Sequence, residues 1–376
     1  MAVSSPCTLL RLFTLNTDDH VYIVSTALAL SHRHPNTNIT LVEASRSIPN
    51  PHGSSVDASR IIRADYANQA YAKLAAQAID RWRNDDWGRD GRYMESGLLL
   101  VYPNGSSNAS TYAMKSYENV KPIEGDRVVY LPTRADVQAA APAYREKDLV
   151  NIAGGYVNWG SGWSHAEDSV RYIKQRLDRE GKVKFRTGLA VDKVLFDNNA
   201  AAKGVLLTDG TSISTDLIIL ATGAWSPQII DLRGRAISTG QAVAFMPISD
   251  EELAVLSRMP TILNFANGIF IIPPRDNRLK IARHGYGYHN PKSVSVPGAS
   301  EMMSVSLPEP GVPIPLEGEL AFRSALKELL PSLADRPFIE TRVCWYTDTY
   351  VILLLLFLLL YHTNRLSSFI VQMATL

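Results

Sequence analysis

Two neighbouring segments near the start of the chain restrict the fold more than any other feature. Residues 21–30, VYIVSTALAL, predict a helix that closes at SHRHP, and residues 38–43, NITLVE, predict a short strand that ends in Glu43. A helix, a turn and a strand with a terminal acidic residue form the second half of a dinucleotide-binding βαβ unit. The sequence therefore predicts an α/β fold with a Rossmann-like domain, within a protein that is α+β when taken as a whole.

The first half of that unit is missing. A strand and a glycine-rich turn should precede Ser25, but residues 16–24 read NTDDHVYIV and the first glycine is Gly53. Glycines at this turn let backbone amides approach a pyrophosphate, whereas Asp18 and Asp19 would repel phosphate. We therefore expect a damaged phosphate-binding turn.

A later group of strands ends in small residues. Residues 183–196 predict a strand, residues 204–210 (GVLLTDG) a meander with an Asp-Gly turn, and residues 211–225 a buried strand that runs into ATGAW. Ala221 and Gly223 would let the backbone approach a flat cofactor closely. The alternative for Gly223 is an ordinary glycine between a strand and a turn. The alternative for Glu43, taken alone, is a solvated carboxylate at a strand end.

Charge and cysteine content exclude other classes of protein. The 376-residue chain has a formal net charge of +1 and no long basic run, so it lacks the electrostatic footprint of a nucleic-acid binder. Its two cysteines, Cys7 and Cys344, form no CxxC pair, so no metal site is expected. The N-terminus lacks a basic region and a clear cleavage site, and a cytoplasmic or peroxisomal protein is expected.

Five motifs occur in a fixed order. They are SSVDASRIIRADY (54–66), ESGLLL (95–100), ATGAWS (221–226), LKIARHGYG (279–287) and RVCWYTDT (342–349). In this combination the chain resembles the FAD-dependent amine oxidase family of monomeric sarcosine oxidase, L-pipecolate and L-saccharopine oxidases and fructosyl amino acid oxidases. It is most similar to the fungal members, over roughly residues 25–349.

The resemblance implies two domains: an FAD-binding domain of the glutathione-reductase type and a mixed-sheet substrate domain. The FAD domain would comprise residues 20–70, 150–240 and 335–350. The substrate domain would comprise residues 71–149 and 241–334, and residues 351–376 would form an atypical apolar tail.

The implied reaction is oxidation of the C–N bond of a secondary amine or amino acid. A hydride would pass from the carbon beside the nitrogen to flavin N5, the imine would hydrolyse, and O₂ would reoxidise the flavin and form hydrogen peroxide. Sarcosine, pipecolate, saccharopine and fructosyl amino acids all remain open as the substrate. The expected oligomeric state is a monomer.

The resemblance also implies roles for individual residues. The residues that would contact FAD are Glu43, Ser54, Ser55, Arg60, Ala221, Gly223, Trp225 and Cys344. Cys344 would carry the flavin through its sulfur, although a buried inert cysteine is the ordinary alternative. Lys280 would assist the reaction of reduced flavin with O₂, because a fixed ammonium stabilises developing negative charge. His284, four residues further on, would be an active-site histidine.

Arg60 and Arg63 would do different jobs. Their odd spacing in an extended segment cannot place both on one face. Arg63 would bind the substrate carboxylate, because a guanidinium fork suits a carboxylate. Tyr66 and Tyr346 would line the substrate pocket.

A second departure from the family follows Thr349. The family continues into a proline-containing loop, a strand and a GxGHGFK turn, whereas residues 351–360 read VILLLLFLLL. Both breaks are abrupt, as expected of mis-spliced or wrongly predicted exons. Ten apolar residues fall short of the roughly 20 that a membrane-spanning helix needs, so no membrane association is expected. A tail anchor through Leu376, which would have to bury His362, Asn364 and Arg365, is the alternative. A catalytically dead relative, or another FAD- or NAD-linked oxidoreductase of the same fold, remains an alternative.

Overall fold

The computed structural model describes residues 20–105, 108–145, 149, 151–199, 201–296, 301–349, 357–360 and 368–369. The helices within these residues are α1 (His20–Arg33), α2 (Gln69–Asn84), α3 (Asn108–Glu124), α4 (Arg134–Ala140), α5 (Ala166–Glu180), α6 (Ser226–Ile229), α7 (Asp250–Leu256) and α8 (Leu316–Leu329). A short 3₁₀ turn, Gly223–Trp225, directly precedes α6.

The strands alternate with these helices. The first eleven are β1 (Ile39–Glu43), β2 (Arg60–Ile62), β3 (Tyr93–Met94), β4 (Leu98–Tyr102), β5 (Val128–Leu131), β6 (Gly154–Asn158), β7 (Gly162–Ser164), β8 (Val183–Thr187), β9 (Val191–Phe196), β10 (Ala202–Leu207) and β11 (Ser212–Ser214). The others are β12 (Leu217–Leu220), β13 (Ala236–Pro247), β14 (Thr261–Asn264), β15 (Ile269–Arg275), β16 (Arg278–Arg283), β17 (Pro291–Val294), β18 (Met303–Ser306), β19 (Glu340–Thr349), β20 (Phe357–Leu360) and β21 (Ser368–Phe369).

The predicted helix-and-strand pair near the start of the chain is present as α1 and β1. β1 pairs in parallel with β8, and Glu43 stands opposite Thr187 at the carboxyl end of both strands. Helices α1 and α5 cover this pair with apolar side chains at helical spacing, in α5 Val170, Ile173 and Leu177. Their packing fixes the end of β1, and with it the position of Glu43.

The predicted meander is also present. β9, β10 and β11 form an antiparallel sheet, and Gly210 in the Asp-Gly turn has a φ of 82°. The buried strand β12 follows and leads into the Gly223–Trp225 turn. That turn packs against β13 and β19, so the end of β12 adjoins the largest sheet of the protein.

The largest sheet has eight strands among the described residues, in the order β19-β13-β16-β15-β14-β4-β6-β5. Adjacent strands in this sheet pair antiparallel, except β14 and β4, which pair in parallel. Successive side chains of β13 point to opposite faces. Ala242 and Ala244 pack with Phe322 of α8, whereas Val243 and Phe245 pack on the other face with Cys344. The mixed α/β fold predicted from the sequence is confirmed.

The sheets do not follow the predicted domain limits strand by strand. β6 and β19 come from ranges assigned to the FAD domain, yet both belong to the eight-stranded sheet, together with strands of the predicted substrate domain. β13 also crosses the predicted limit at residue 240. The division into two domains with these limits stays a prediction.

Part of the predicted apolar tail is described. β20 pairs antiparallel with β12, from Leu217 opposite Leu360 to Leu220 opposite Phe357, and β21 pairs with β20. The remainder of residues 351–376 lies outside the described residues, as do Cys7, Asp18 and Asp19. In the part of the chain that is described, no helix has the length and apolarity to cross a membrane.

The α5 packing yields a stability prediction. Leu177→Ala removes a fully buried side chain from the core between α5, α1 and β1. We expect the free energy of unfolding to fall by about 2–5 kcal/mol, because a cavity replaces the lost contacts. Gln175→Ala, on the exposed face of the same helix, should change it by less than about 0.5 kcal/mol. Urea denaturation followed by circular dichroism measures both, and equal losses would contradict this packing.

Candidate active site

A small cleft opens where β2 approaches β15, β16 and β19. Its lining residues are Ser59, Arg60, Ile61, Phe270, Ile272, Lys280 and Tyr346. Lys280 lies in β16 between Phe245 of β13 and Ile272 of β15, which are its partners in register. The sheet therefore surrounds the lysine with apolar side chains.

A buried carboxylate holds this lysine. The Lys280 Nζ donates to Asp57 Oδ2 at 2.6 Å and to the Ser59 carbonyl at 2.7 Å. Arg60 Nη1 lies 2.9 Å from the same oxygen, and Arg342 Nη2 lies 3.3 Å from it. One carboxylate thus faces three basic groups from three different segments of the chain.

The charges of this cluster shift one another's pKa values. Burial lowers the pKa of Lys280 to about 8, and the Asp57 carboxylate opposes a larger fall. Burial alone would raise the pKa of Asp57, but Lys280, Arg60 and Arg342 outweigh it and hold that pKa well below its ordinary value. Asp57 is therefore ionised at neutral pH, and Lys280 is close to its titration range.

Cys344 lies next to the same cluster. Its side chain is 6% exposed, and its Sγ accepts a hydrogen bond from Arg60 Nη2 at 3.1 Å. Arg60 also donates from Nε to the Ser54 carbonyl at 2.8 Å. In β19, Arg342, Cys344 and Tyr346 alternate with residues of the opposite face, so all three point toward the cleft.

Arg63 belongs to a second, adjacent group. Its guanidinium lies 4.4 Å from the centre of the Tyr66 ring and donates to the Asp65 carbonyl. The Asp65 carboxylate is fully buried and accepts hydrogen bonds from Ser161 Oγ at 2.6 Å and from Asn158 Nδ2 at 3.1 Å. Burial raises the pKa of Asp65, and the bond from Ser161 opposes this shift. Arg60 and Arg63 thus contact different partners.

His284 and Tyr346 lie between the two groups. Their rings are 5.8 Å apart at an interplanar angle of 31°. Burial lowers the pKa of His284, Asp348 opposes this shift, and the charge of Arg63 adds to it. His284 Nδ1 is buried and has no hydrogen-bond partner among the residues described. A neutral imidazole thus faces the buried guanidinium.

A third group lies at the ends of β1 and β12. Glu43 is fully buried, and its Oε1 accepts hydrogen bonds from the Ser45 backbone at 2.7 Å and from Asn50 Nδ2 at 3.1 Å. Gly223 has a φ of 46°, a conformation that favours glycine. Ser238 Oγ, in β13, donates to the Ala224 carbonyl and ties this turn to the eight-stranded sheet.

The remaining predicted residues fall in these groups. Ser54 and Ser55 lie, both buried, in the loop that carries Asp57. Ala221 is half-buried at the end of β12, and Trp225 ends the 3₁₀ turn. The structure thus brings Lys280, Arg60, Cys344 and Tyr346 together, with Arg63, Tyr66 and His284 beside them, and places the predicted ribose and backbone contacts at the strand ends.

These residues fit a large polar cofactor with a flat ring. Asp57 Oδ1 and Arg342 Nε are buried without a hydrogen-bond partner in the described part of the chain. A buried polar atom of this kind normally has a partner, which a bound hydroxyl or ring nitrogen could supply. Ala221 and Gly223 follow β12, and small residues of this kind let backbone approach a ring. FAD, implied by the resemblance, matches this donor set.

Five residues of the site were absent from the predicted set: Asp57, Arg342, Asp65, Asn158 and Ser161. Asp57 could have been found, because it stands three residues before Arg60 and can pair with it locally. Arg342 could have been found from its two-residue spacing to Cys344 in a strand. Among the described residues, no cluster of three or more His, Cys, Asp or Glu side chains could hold a metal ion.

Comparison with known proteins identifies the family. The family model for FAD dependent oxidoreductases (DAO) matches residues 24–353. The chain is 28% identical to the amino acid oxidase imqH of Aspergillus flavus, over 88% of this chain and 82% of that protein. It is also 28% identical to the L-saccharopine oxidase of Schizosaccharomyces pombe, over 88% and 78%.

Solved structures share the fold. The fructosamine oxidase of Aspergillus fumigatus (Amadoriase II), in complex with FSA, superposes with a TM-score of 0.82 at 25% identity, over 99% of this chain and 83% of that one. A modified fructosyl peptide oxidase from Aspergillus nidulans reaches a TM-score of 0.85 at 24% identity, over 98% and 86%. The similarity therefore extends over nearly the whole chain.

The environment of His284 yields a pH prediction. When a histidine has a lower pKa in the folded protein than in the unfolded chain, the unfolded chain binds the proton more tightly. The free energy of unfolding therefore falls as the pH drops below the ordinary pKa of histidine. We expect His284→Gln to make the fall in unfolding free energy between about pH 7 and pH 5 shallower than in the unsubstituted protein. His289→Gln, at an exposed position five residues on, is the control and should leave the slope unchanged. Denaturation curves at several pH values test this, and an unchanged slope in His284→Gln would refute it.

Proposed function

The chain belongs to the family of FAD-dependent oxidoreductases, and from that premise we propose that it oxidises the C–N bond of a small secondary amine or amino acid. O₂ is the proposed acceptor and hydrogen peroxide the second product. The similarity to an amino acid oxidase, an L-saccharopine oxidase and a fructosamine oxidase supports a CH–NH donor as substrate. The observation that carries the proposal is the cleft in which Lys280, Arg60 and Tyr346 meet beside Cys344.

FAD, when bound, supplies an acceptor for the two electrons and the hydrogen that leave the carbon beside the nitrogen. Several residues of the chain are placed to hold it. Glu43 would accept a hydrogen bond from a ribose hydroxyl at the end of β1, and the Gly223 turn would let backbone contact the ring system. Cys344 is the proposed point of covalent attachment through its sulfur.

Lys280 is the proposed group for the reaction with O₂. Electron transfer to O₂ builds negative charge, and a fixed ammonium next to it lowers the energy of that charge. The stabilisation is larger in an apolar surrounding than in water. Phe270, Ile272 and Ile61 provide such a surrounding on the walls of the cleft.

Arg63 is the proposed group for substrate binding. Its guanidinium is 3% exposed and rests against Tyr66, and a planar guanidinium is the group best suited to bind a carboxylate. His284 stays neutral beside it because its pKa is lowered, so it adds no second cation to the pocket. The substrate amine is proposed to react in its neutral form, since no pocket side chain in the described part of the chain is placed as a strong general base.

The flavin link is tested by denaturation. We expect flavin of the purified protein to stay with the polypeptide after SDS or acid treatment, and Cys344→Ser to release it, because serine cannot form the thioether. Cys7→Ser removes the other cysteine of the chain and is the control that should retain the link. Fluorescence of the protein band after electrophoresis shows the result. Flavin that remains attached to denatured Cys344→Ser would contradict the assignment, and a colourless purified protein would contradict the proposed function itself.

The proposed roles of Lys280 and Arg63 can be distinguished because they affect different half-reactions of the flavin. Lys280→Met should slow reoxidation by O₂ by about 10²–10³, the usual loss when a group that stabilises a developing charge is removed, with little effect on anaerobic flavin reduction. Arg63→Ala should weaken apparent substrate affinity and leave reoxidation nearly unchanged. Stopped-flow absorbance of the flavin follows each half-reaction. Equal slowing of the same half-reaction in both variants would show that this division of roles is wrong.

A further inference from the structure

Asp57 is a fully buried carboxylate to which the proposed function assigns no role. It lies in the loop before β2 and reaches Lys280 of β16, 223 residues further along the chain, at 2.6 Å. The carbonyls of Val56 and Ser59, on either side of it, also accept hydrogen bonds from this cluster, from Arg342 at 2.9 Å and from Lys280 at 2.7 Å. The loop is therefore shaped around basic groups that arrive from distant strands.

Positive charges outnumber negative charges in this cluster. Asp57 supplies one negative charge, and Lys280, Arg60 and Arg342 supply three positive charges. The two guanidinium groups cannot give up their protons in a protein. Lysine can, and a buried lysine without a counter-ion commonly does. Lys280 is thus the group through which the cluster can lose charge.

The other elements around Lys280 do not replace Asp57. The titratable and charged side chains that face the pair from β2 and β19 are Arg60, Arg342, Cys344 and Tyr346. The strands on either side of β16 place Phe245 and Ile272 opposite Lys280. No other carboxylate of the described residues lies within ion-pair distance of the Lys280 ammonium.

We propose that Asp57 is the positioning residue for Lys280: it fixes the ammonium at the wall of the cleft and keeps it charged beside two guanidinium groups. Two of the three donors of Lys280 Nζ are held by Asp57 and the Ser59 carbonyl. The third has no hydrogen-bond partner among the described residues and remains for the cleft. The catalytic consequence rests on the role of Lys280 proposed above, whereas the placement and charge of the ammonium do not.

The test uses a pH dependence that a purely structural role would not produce. The pKa of Lys280 is about 8 in the folded protein and 10.5 ordinarily, so unfolding takes up a proton between these values. Burial of Lys280 therefore reduces stability as the pH falls through this window. Asp57→Asn removes the counter-ion and should extend the window to lower pH by about one to three pH units. Its unfolding midpoint should then differ from that of the unsubstituted protein more at pH 7 than at pH 10.

Two further variants make the result specific. In a Lys280→Met background, Asp57→Asn should have the same effect on the midpoint at pH 7 and pH 10, because no ammonium is left to titrate. Asp178→Asn is the matched control, since Asp178 also accepts a 2.6 Å bond from a lysine, Lys174, but on the half-exposed face of α5. Its effect should be small at both pH values, because water solvates that lysine.

The outcomes separate this inference from the proposed function. An equal loss at pH 7 and pH 10 in Asp57→Asn overturns the inference. If Asp57→Asn does not fold, the double variant with Lys280→Met should fold, and failure of both overturns it as well. In the flavin-loaded protein, Asp57→Asn should also move the pH profile of reoxidation to lower pH. If the unfolding window moves as expected but Lys280→Met leaves reoxidation unchanged, the inference stands and the proposed role of Lys280 in the oxygen reaction fails.

Discussion

Three basic groups and one carboxylate share a volume from which water is largely excluded, and the geometry of the site follows from that constraint. A buried charge costs several kcal/mol unless it is paired and hydrogen-bonded. Arg60 pairs with Asp57 within one segment, whereas Lys280 and Arg342 reach Asp57 only when β16 and β19 are docked against that segment. The same docking places Cys344 against Arg60 and closes the cleft with Tyr346. Charge pairing thus selects one arrangement of three segments that hydrophobic packing alone would leave adjustable.

The local parts of the fold could be predicted, whereas their pairing could not. Periodic apolar residues and turn chemistry identify α1, β1 and the meander that leads to Gly223, because each depends on neighbours in sequence. β13 pairs with β19 from Ala236 opposite Thr349, more than a hundred residues apart. An apolar pattern shows which face of a strand is buried but not which other strand pairs with it. The assignment of β6 and β19 to the eight-stranded sheet therefore emerges only from the structure.

The site divides in the same way. Arg60, Lys280 and Cys344 stand in sequence motifs, and the order of those motifs leads to the family that the comparisons identify. Asp57 stands in one of these motifs as well, but no spacing rule connects it with a lysine 223 residues further along the chain. Ser161, which holds the Asp65 carboxylate, belongs to no motif and is 96 residues away from it. Motifs therefore reveal the groups proposed to touch cofactor and substrate, but their spacing does not show which distant groups pair with those charges.

Because side chains alternate along β19, the position of each residue in the strand decides whether it faces the cleft. Arg342, Cys344 and Tyr346 share the face toward the cleft, while Trp345 lies between them on the other face. Because the side-chain period of a strand is two, a slip of one residue would exchange the two faces completely. A single-codon insertion or deletion in β19 ahead of Arg342 would thus turn all three of these groups away from the cleft, although the strand would keep nearly the same amino acids.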